Sequence, residues 1–132
     1  MNEPTVNEPN IRPDRIHVLA DPTPGPHRTD SDDIWWWLPV IGPTSTSLAY
    51  LLARHAAYQE ATWDTLTLAR TVGLGHGRSK LWLSLERLAM FRLATFHGTD
   101  TLAIRLYLPA LTGRNLASLP DCLAAAYLAT PH

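Results

Sequence analysis

The sequence has one cysteine and no long hydrophobic run, and each scarcity excludes a class of protein. Cys122 is the only thiol in 132 residues, which excludes an intramolecular disulfide framework and any zinc or iron–sulfur site built from several cysteines. The longest apolar run, residues 34–41, contains a proline and is far shorter than the roughly 20 residues that cross a bilayer. We therefore expect no membrane span. No basic and hydrophobic leader is visible at the start, so we expect a cytoplasmic protein.

Composition and charge indicate one folded domain behind an acidic N-terminal segment. Hydrophobic residues make up 45% and charged residues 17% of the chain, enough apolar side chain for one core. Residues 1–33 hold six of the eleven prolines, with seven acidic and three basic side chains, whereas residues 34–132 hold five acidic and eight basic ones. We predict a disordered, acidic, proline-rich tail over residues 1–33 and a folded domain over residues 34–132. Residues 16–19 are the one apolar segment of the tail that could dock on the domain or on a partner.

Three adjacent tryptophans, Trp35, Trp36 and Trp37, stand at the start of the predicted domain. Successive side chains of a helix or strand point in different directions, so the three indoles cannot all enter one core. Two interpretations stay open. Either the indoles brace the point at which the chain enters the domain, or part of their surface binds a partner chain.

Hydrophobic periodicity and capping residues predict four helices and a hairpin. Helix one follows the break at Gly42-Pro43 and ends near Tyr58, because apolar residues recur there at helical spacing. After a short β-like pair, Thr62-Trp63, helix two begins at an Asp64 cap and ends at Gly73. The other predicted elements are a third helix over residues 79–90, a hairpin with strands at 93–96 and 102–108 and a turn at 97–100, and a C-terminal helix that starts within residues 118–121 and reaches about Ala129.

Four short segments resemble those of a known family. They are Leu68-Ala69 in helix two, Gly73-Leu74 in the turn, Leu85-Glu86-Arg87-Leu88 in helix three, and Phe91-Arg92-Leu93 before the hairpin. With the order of the elements, they make residues 44–108 similar to the winged helix-turn-helix proteins of bacterial transcription control. The resemblance implies a mainly α fold with a small β-hairpin, in which a three-helix core carries a wing. It does not extend to the predicted C-terminal helix, which we expect as an addition to that fold. It also implies a transcriptional regulator that binds double-stranded DNA with helix three in the major groove.

Two positions depart from the pattern of that family. Arg92 stands where many members have a glycine before the first wing strand, so we expect backbone strain there. The wing turn offers His97 and Asp100 where many DNA-binding wings have Arg or Lys, and a carboxylate repels a phosphate. The turn residues therefore do not favour insertion of the wing into a DNA groove.

Positive charge is concentrated on the predicted helix-turn-helix. Residues 70–92 contain five cationic side chains and one carboxylate, Glu86. A helix N-terminus and a guanidinium group both suit phosphate oxygens, and arginine can also bind the guanine edge. A solvated helix face in an arginine-rich chain would carry the same side chains without binding DNA. The predicted DNA-binding residues are Arg70, Arg78, Ser79, Lys80, Trp82 and Arg87.

A chain with a net charge of −1 neutralises few phosphates, so we expect a homodimer that doubles the contacts. The tryptophans, helix one and the C-terminal helix are its candidate interface. The alternative function is a protein–protein interaction module on the same scaffold, in which the Trp35–Trp37 cluster and the acidic tail capture a partner. In an intramolecular version, the tail covers helix three and lowers its affinity for DNA.

No arrangement of residues favours catalysis. The six histidines are scattered, without the i, i+4 pair or the His/Cys/carboxylate spacing of a zinc site. The glycine-rich residues 73–77 lack the lysine of a phosphate-binding loop. Cys122 lies in a predicted apolar helix, where we expect a buried thiol. We therefore expect no enzymatic activity, no metal and no cofactor.

Overall fold

A computed structural model describes residues 12–132, which form a mixed α/β structure with five α-helices. The strands are β1 (Arg15–Asp21), β2 (His27–Arg28), β3 (Ala61–Asp64), β4 (Ala94–Phe96), β5 (Thr101–Arg105) and β6 (Tyr107–Leu108). The α-helices are α1 (Leu38–Tyr58), α2 (Thr65–Thr71), α3 (Arg78–Met90), α4 (Gly113–Ala117) and α5 (Asp121–Ala129), and a 3₁₀ helix covers Asp32–Trp37.

β1 is an inner strand of the main sheet, whose strand order is β3-β1-β5-β4. It runs antiparallel to β3 and parallel to β5, with Val18 opposite Leu102. Ile16 and Val18 alternate into the core and are 0% and 1% exposed. The prediction of a disordered tail over residues 1–33 is therefore wrong for residues 12–33, because pairing on both sides and two buried side chains stabilise β1. Residues 1–11 of the predicted tail lie outside the described residues.

The proline-rich segment after β1 is held by backbone contacts. β2 pairs with β6 in a second, two-stranded sheet. Arg105 Nη2 donates to the carbonyl oxygen of Pro24 at 3.0 Å. Gly25 approaches the backbone of Leu108 so closely that a Cβ on it would lie 2.8 Å from the Leu108 carbonyl carbon. The prolines of this segment therefore belong to a fixed connection between two paired strands.

The predicted helices are found close to their predicted ends. α1 is interrupted at Gly42, where φ is 82°, so its main body starts at Pro43 and ends at Tyr58 as predicted. The carboxylate of Asp64 caps α2 by accepting from the Thr67 backbone N–H at 2.9 Å. α3 is confirmed to within one residue of its predicted bounds, whereas α5 begins only at Asp121, the last residue of its predicted start, and ends at Ala129 as predicted. α4 was not predicted.

The predicted hairpin is present as β4 and β5, with Ala94 opposite Ile104. Its second strand does not continue to Leu108, because the chain bends at Leu106 and then pairs with β2 instead. The predicted fold class, mainly α with a small hairpin, is corrected to mixed α/β, since β1 and β3 extend the hairpin to a four-stranded sheet.

The core lies between one face of the main sheet and the helices α1 and α3. α1 contacts α3, β1 and β5, and α3 contacts β4. Fully buried leucines and isoleucines from these elements fill the space between them: Ile16, Leu48, Leu52, Leu85, Leu88, Leu102 and Ile104. Within residues 12–132, no helix combines the length and the apolar character needed to cross a bilayer.

α5 lies on the surface and buries one side chain, Tyr127. The hydroxyl oxygen of Tyr127 accepts from the Leu111 N–H at 2.8 Å, and Trp36 packs edge-on against its ring. Cys122 is exposed, so the expectation of a buried thiol is wrong. The helix is apolar on nearly all sides, and only the side with Tyr127 meets the core.

Candidate nucleic-acid interface

α2 and α3 are joined by a tight turn over residues 72–77. Gly73 and Gly75 have φ values of 83° and 58°, which L side chains rarely adopt. The Leu74 N–H donates back to the Ala69 carbonyl at 2.8 Å and closes the end of α2. At the start of α2, the backbone N–H and then the hydroxyl of Thr67 donate to the Asp64 carboxylate, which lowers the pKa of Asp64 below its ordinary value. The glycines and the cap together fix where α3 begins.

The N-terminus of α3 carries free hydrogen-bond donors. Its N-cap residue is Gly77, and no side chain caps the helix. The backbone N–H groups of Ser79 and Lys80 have no acceptor among residues 12–132. A Cβ at Gly77 would lie 2.9 Å from the carbonyl oxygen of Leu74, so a capping Ser or Asp does not fit this position. The first turn of α3 therefore presents donors to an external acceptor.

The predicted cationic residues of α2 and α3 differ in whether their charged groups already have a partner in the protein. Arg70 and Lys80 are exposed and form no ion pair within the described residues. Arg78 Nη1 contacts Asp14 Oδ1 at 3.1 Å. Arg87 is exposed, and its Nη1 donates to the carbonyl oxygen of Ile41 at 3.4 Å.

Trp82 does not lie on the outer face of α3. It is 3% exposed, and its ring stacks on Phe96 of β4 with 6.1 Å between ring centroids. Its position on the helix is next to that of Leu85, on the side that meets the sheet. The prediction that Trp82 contacts DNA from the exposed face of α3 is therefore wrong, because its ring packs towards the sheet.

The outer face of α3 also contains residues that the sequence analysis missed. Leu83 is 59% and Met90 is 73% exposed. They are seven residues apart and off the stripe of Leu81, Leu85 and Leu88, and this spacing could have identified them as outward-facing. The face that carries Lys80 and Arg87 is thus also apolar.

The segment before β1 lies against α3. Arg12 Nη2 pairs with Glu86 Oε2 at 3.0 Å, and Arg12 Nη1 donates to the Ser79 carbonyl at 3.4 Å. The carbonyl oxygen of Asp14 accepts from the Thr65 N–H at 2.8 Å. Sequence reasoning missed these contacts, because no local pattern links residues separated by more than 50 positions.

The three tryptophans of the predicted partner interface have different environments. Trp35 is 56% exposed, whereas Trp37 is 2% exposed and belongs to the core. Trp36 is partly buried, with its ring centroid 5.3 Å from that of Tyr127. A partner interface built from all three indoles is therefore wrong, since Trp37 braces the domain and Trp36 packs on α5. Trp35 is the exposed member.

Arg92, which precedes β4, and the β4–β5 turn have the backbone conformations and the polarity that their residues predicted. Arg92 has φ 64°, the left-handed conformation for which a glycine was expected. Residues 97–100 are exposed, and Gly98 has φ 81°. The carbonyl oxygen of Asp100 accepts from the His17 N–H at 2.7 Å, which ties the turn to β1.

Two histidines that are distant in sequence meet beside α5. His27 Nδ1 lies 3.3 Å from Asp33 Oδ2, and His27 Nε2 lies 2.7 Å from His132 Nδ1. The His132 Nε2 atom in turn lies 2.7 Å from the Tyr127 carbonyl oxygen, so this series of side-chain contacts ends at a backbone carbonyl group. Within residues 12–132, no group of three His, Cys, Asp or Glu side chains is placed to hold a metal ion.

The site is therefore an open helix N-terminus with exposed cations on α2 and α3, bordered by two apolar side chains. Comparisons of the chain with models of protein families, with curated proteins and with solved structures found no match.

Proposed function

We propose that this chain binds double-stranded DNA through α3, as a winged helix-turn-helix protein that regulates transcription. The observation that carries the proposal is the element order α1, β3, α2, α3, β4, β5, in which an exposed cationic helix follows a glycine turn and precedes a hairpin. An α-helix with one solvated face has the dimensions to enter the major groove.

The charges on this face favour a polyanion. Arg70, Lys80 and Arg87 are exposed on adjacent helices. Glu86 is the one carboxylate of α3, and Arg12 pairs with it at 3.0 Å. The repulsion of DNA phosphates by Glu86 is therefore reduced, and the three cations remain available.

The proposed footprint consists of Arg70, Arg78, Ser79, Lys80 and Arg87. Lys80 and Arg78 bind phosphates, and Arg87 binds either a base edge or a phosphate. Leu83 can contact a thymine methyl group from the same face. We expect Arg78 to contribute less to phosphate binding than a free arginine, because one of its N–H groups already donates a hydrogen bond to Asp14.

The test is fluorescence anisotropy of a labelled random-sequence duplex, titrated with the full chain at low and at moderate salt. We expect binding that weakens as salt increases, because bound cations release counterions from the phosphates. Lys80→Ala should weaken binding and reduce the salt dependence by about one ion. The matched control is Arg54→Ala, an exposed arginine of α1 that lines a separate cavity with Arg28 and Asp30. Absence of binding at both salt concentrations contradicts the proposal.

A second candidate function is a protein–protein interaction module. It is favoured by the exposure of Leu83 and Met90 on the same face of α3 as the cations Lys80 and Arg87. Two results together would support this function: the chain binds no duplex, and Leu83→Ala impairs its capture of a defined acidic peptide.

Deletion of residues 1–11 tests whether an N-terminal cover lowers the affinity of the chain for DNA. A deletion to residue 31 would remove β1 from the sheet, so it cannot serve this purpose.

A further inference from the structure

A cavity of about 360 Å³ lies at the N-terminal end of α3, lined by Arg12, Arg78, Ser79 and Trp82. Two nitrogen atoms of these lining residues, Arg78 Nε and Trp82 Nε1, are buried and have no hydrogen-bond partner among residues 12–132. Native structures rarely leave a buried N–H unpaired, because its lost hydration is not replaced. Two such donors at one cavity indicate that an acceptor belongs there.

Further donors surround the same cavity. The first turn of α3 contributes the N–H group of Ser79, which lines the cavity and has no acceptor within the described residues. α3 is 13 residues long, so its N-terminus carries the partial positive charge of a full helix. Arg12 adds a guanidinium group from the segment before β1.

Two carboxylates already hold the guanidinium groups in place. Arg12 Nη2 contacts Glu86 at 3.0 Å, and Arg78 Nη1 contacts Asp14 at 3.1 Å. Each guanidinium has five N–H donors, so both keep donors for another acceptor. With the charges nearly balanced, the indole and backbone N–H groups must contribute much of the binding energy.

We propose that this cavity binds a phosphate group. Phosphate has several acceptor oxygens, so one phosphate group can accept from the Trp82 indole, the Arg78 guanidinium and the first turn of α3. The same chemistry is offered by inorganic phosphate, a phosphomonoester or a phosphodiester of DNA. The site does not depend on the proposed DNA binding.

The test is titration of the ¹⁵N-labelled full chain with inorganic phosphate, observed at the five tryptophan indole N–H signals. We expect a saturable shift of the Trp82 indole signal and of the Ser79 amide signal, while the signals of the other four indoles do not shift. Sodium chloride at matched ionic strength is the control for screening. A Trp82 signal that moves no more in phosphate than in chloride overturns the proposal, and so does an equal, linear drift of all five indoles.

Trp82→Phe removes the indole N–H and keeps an aromatic ring against Phe96. We expect it to weaken phosphate binding about tenfold, the loss of one charge-assisted hydrogen bond. The matched control is Trp63→Phe, whose indole packs on His55 away from the cavity and should leave the affinity unchanged. If Trp82→Phe does not fold, the titration of the unmodified chain still decides the proposal.

A duplex titration in phosphate-free buffer identifies the source of the phosphate group. If Trp82→Phe weakens duplex binding about tenfold and Trp63→Phe does not, the occupant is a phosphate of the DNA backbone. If the duplex binds both variants equally while phosphate shifts the Trp82 signal, the occupant is free phosphate or a phosphomonoester. If the chain binds phosphate but no duplex, the phosphate site stands and the proposed function falls.

Discussion

At the scale of single residues, backbone conformation decides what Arg92 contributes to stability. Its φ of 64° costs an L-residue about 1 kcal/mol relative to glycine, which adopts this conformation freely. We expect Arg92→Gly to raise the free energy of unfolding by up to about 1 kcal/mol, the gain being reduced by the greater chain entropy of unfolded glycine. Urea unfolding with an unchanged m-value would measure it. Arg92→Ala is the control: it removes the charge near Arg114 but keeps the Cβ, and an equal gain there would contradict the backbone explanation.

Residues whose roles are set by their immediate neighbours could be predicted from the sequence. Asp64 and Gly73 begin and end α2 as expected, because capping depends on positions a few residues apart. Trp82 could not be placed, because its direction depends on where β4 packs. Its neighbours on the helix, Leu81 and Leu85, define a buried stripe whose width only the sheet determines.

At the scale of elements, the cap of α2 makes part of the stability depend on pH. Hydrogen bonds from Thr67 lower the pKa of Asp64 in the folded chain below its ordinary 3.8. A lowered folded pKa means that the stabilisation is present at pH values above 3.8 and is lost as the pH falls through the folded pKa. We therefore expect Asp64→Ala to lower the Tm at pH 7, and the difference in Tm to shrink progressively as the pH falls below 3.8 and through the folded pKa.

The control for this measurement is Asp100→Ala. Asp100 is an exposed turn residue whose carboxylate accepts from its neighbour Thr101 and caps no helix. An Asp64→Ala effect on the Tm that keeps the same size as the pH falls would show that its ionised carboxylate is not what stabilises α2.

β1 shows why a whole element was missed. Its two buried residues, Ile16 and Val18, are too few to predict a strand. The six prolines and seven acidic residues of the same segment predict disorder instead. The free energy that stabilises β1 comes from β3 and β5, which lie more than 40 and 80 residues away. The four longer helices α1, α2, α3 and α5, by contrast, were found because their hydrogen bonds and their apolar periodicity are local.

At the scale of the whole molecule, the apolar surfaces that remain exposed favour self-association. Residues 122–129 of α5 carry no charged side chain, and Leu123 and Leu128 are 39% and 67% exposed. Trp36 packs on Tyr127, which brings the 3₁₀ helix with the exposed Trp35 beside α5. The uncharged residues 122–129 can pack against the same helix of a second copy, as a two-fold interface requires.

We therefore expect a homodimer with a mass of twice 14.7 kDa in sedimentation equilibrium. Leu128→Glu should dissociate it, because each copy would bury a carboxylate without a partner. Leu83→Glu changes an equally exposed leucine on α3 and should leave the dimer intact. A chain that sediments at 14.7 kDa at all concentrations contradicts this interface. If the dimer is also the DNA-binding form, Leu128→Glu should roughly halve the salt dependence of duplex binding, since the monomer contacts half as many phosphates.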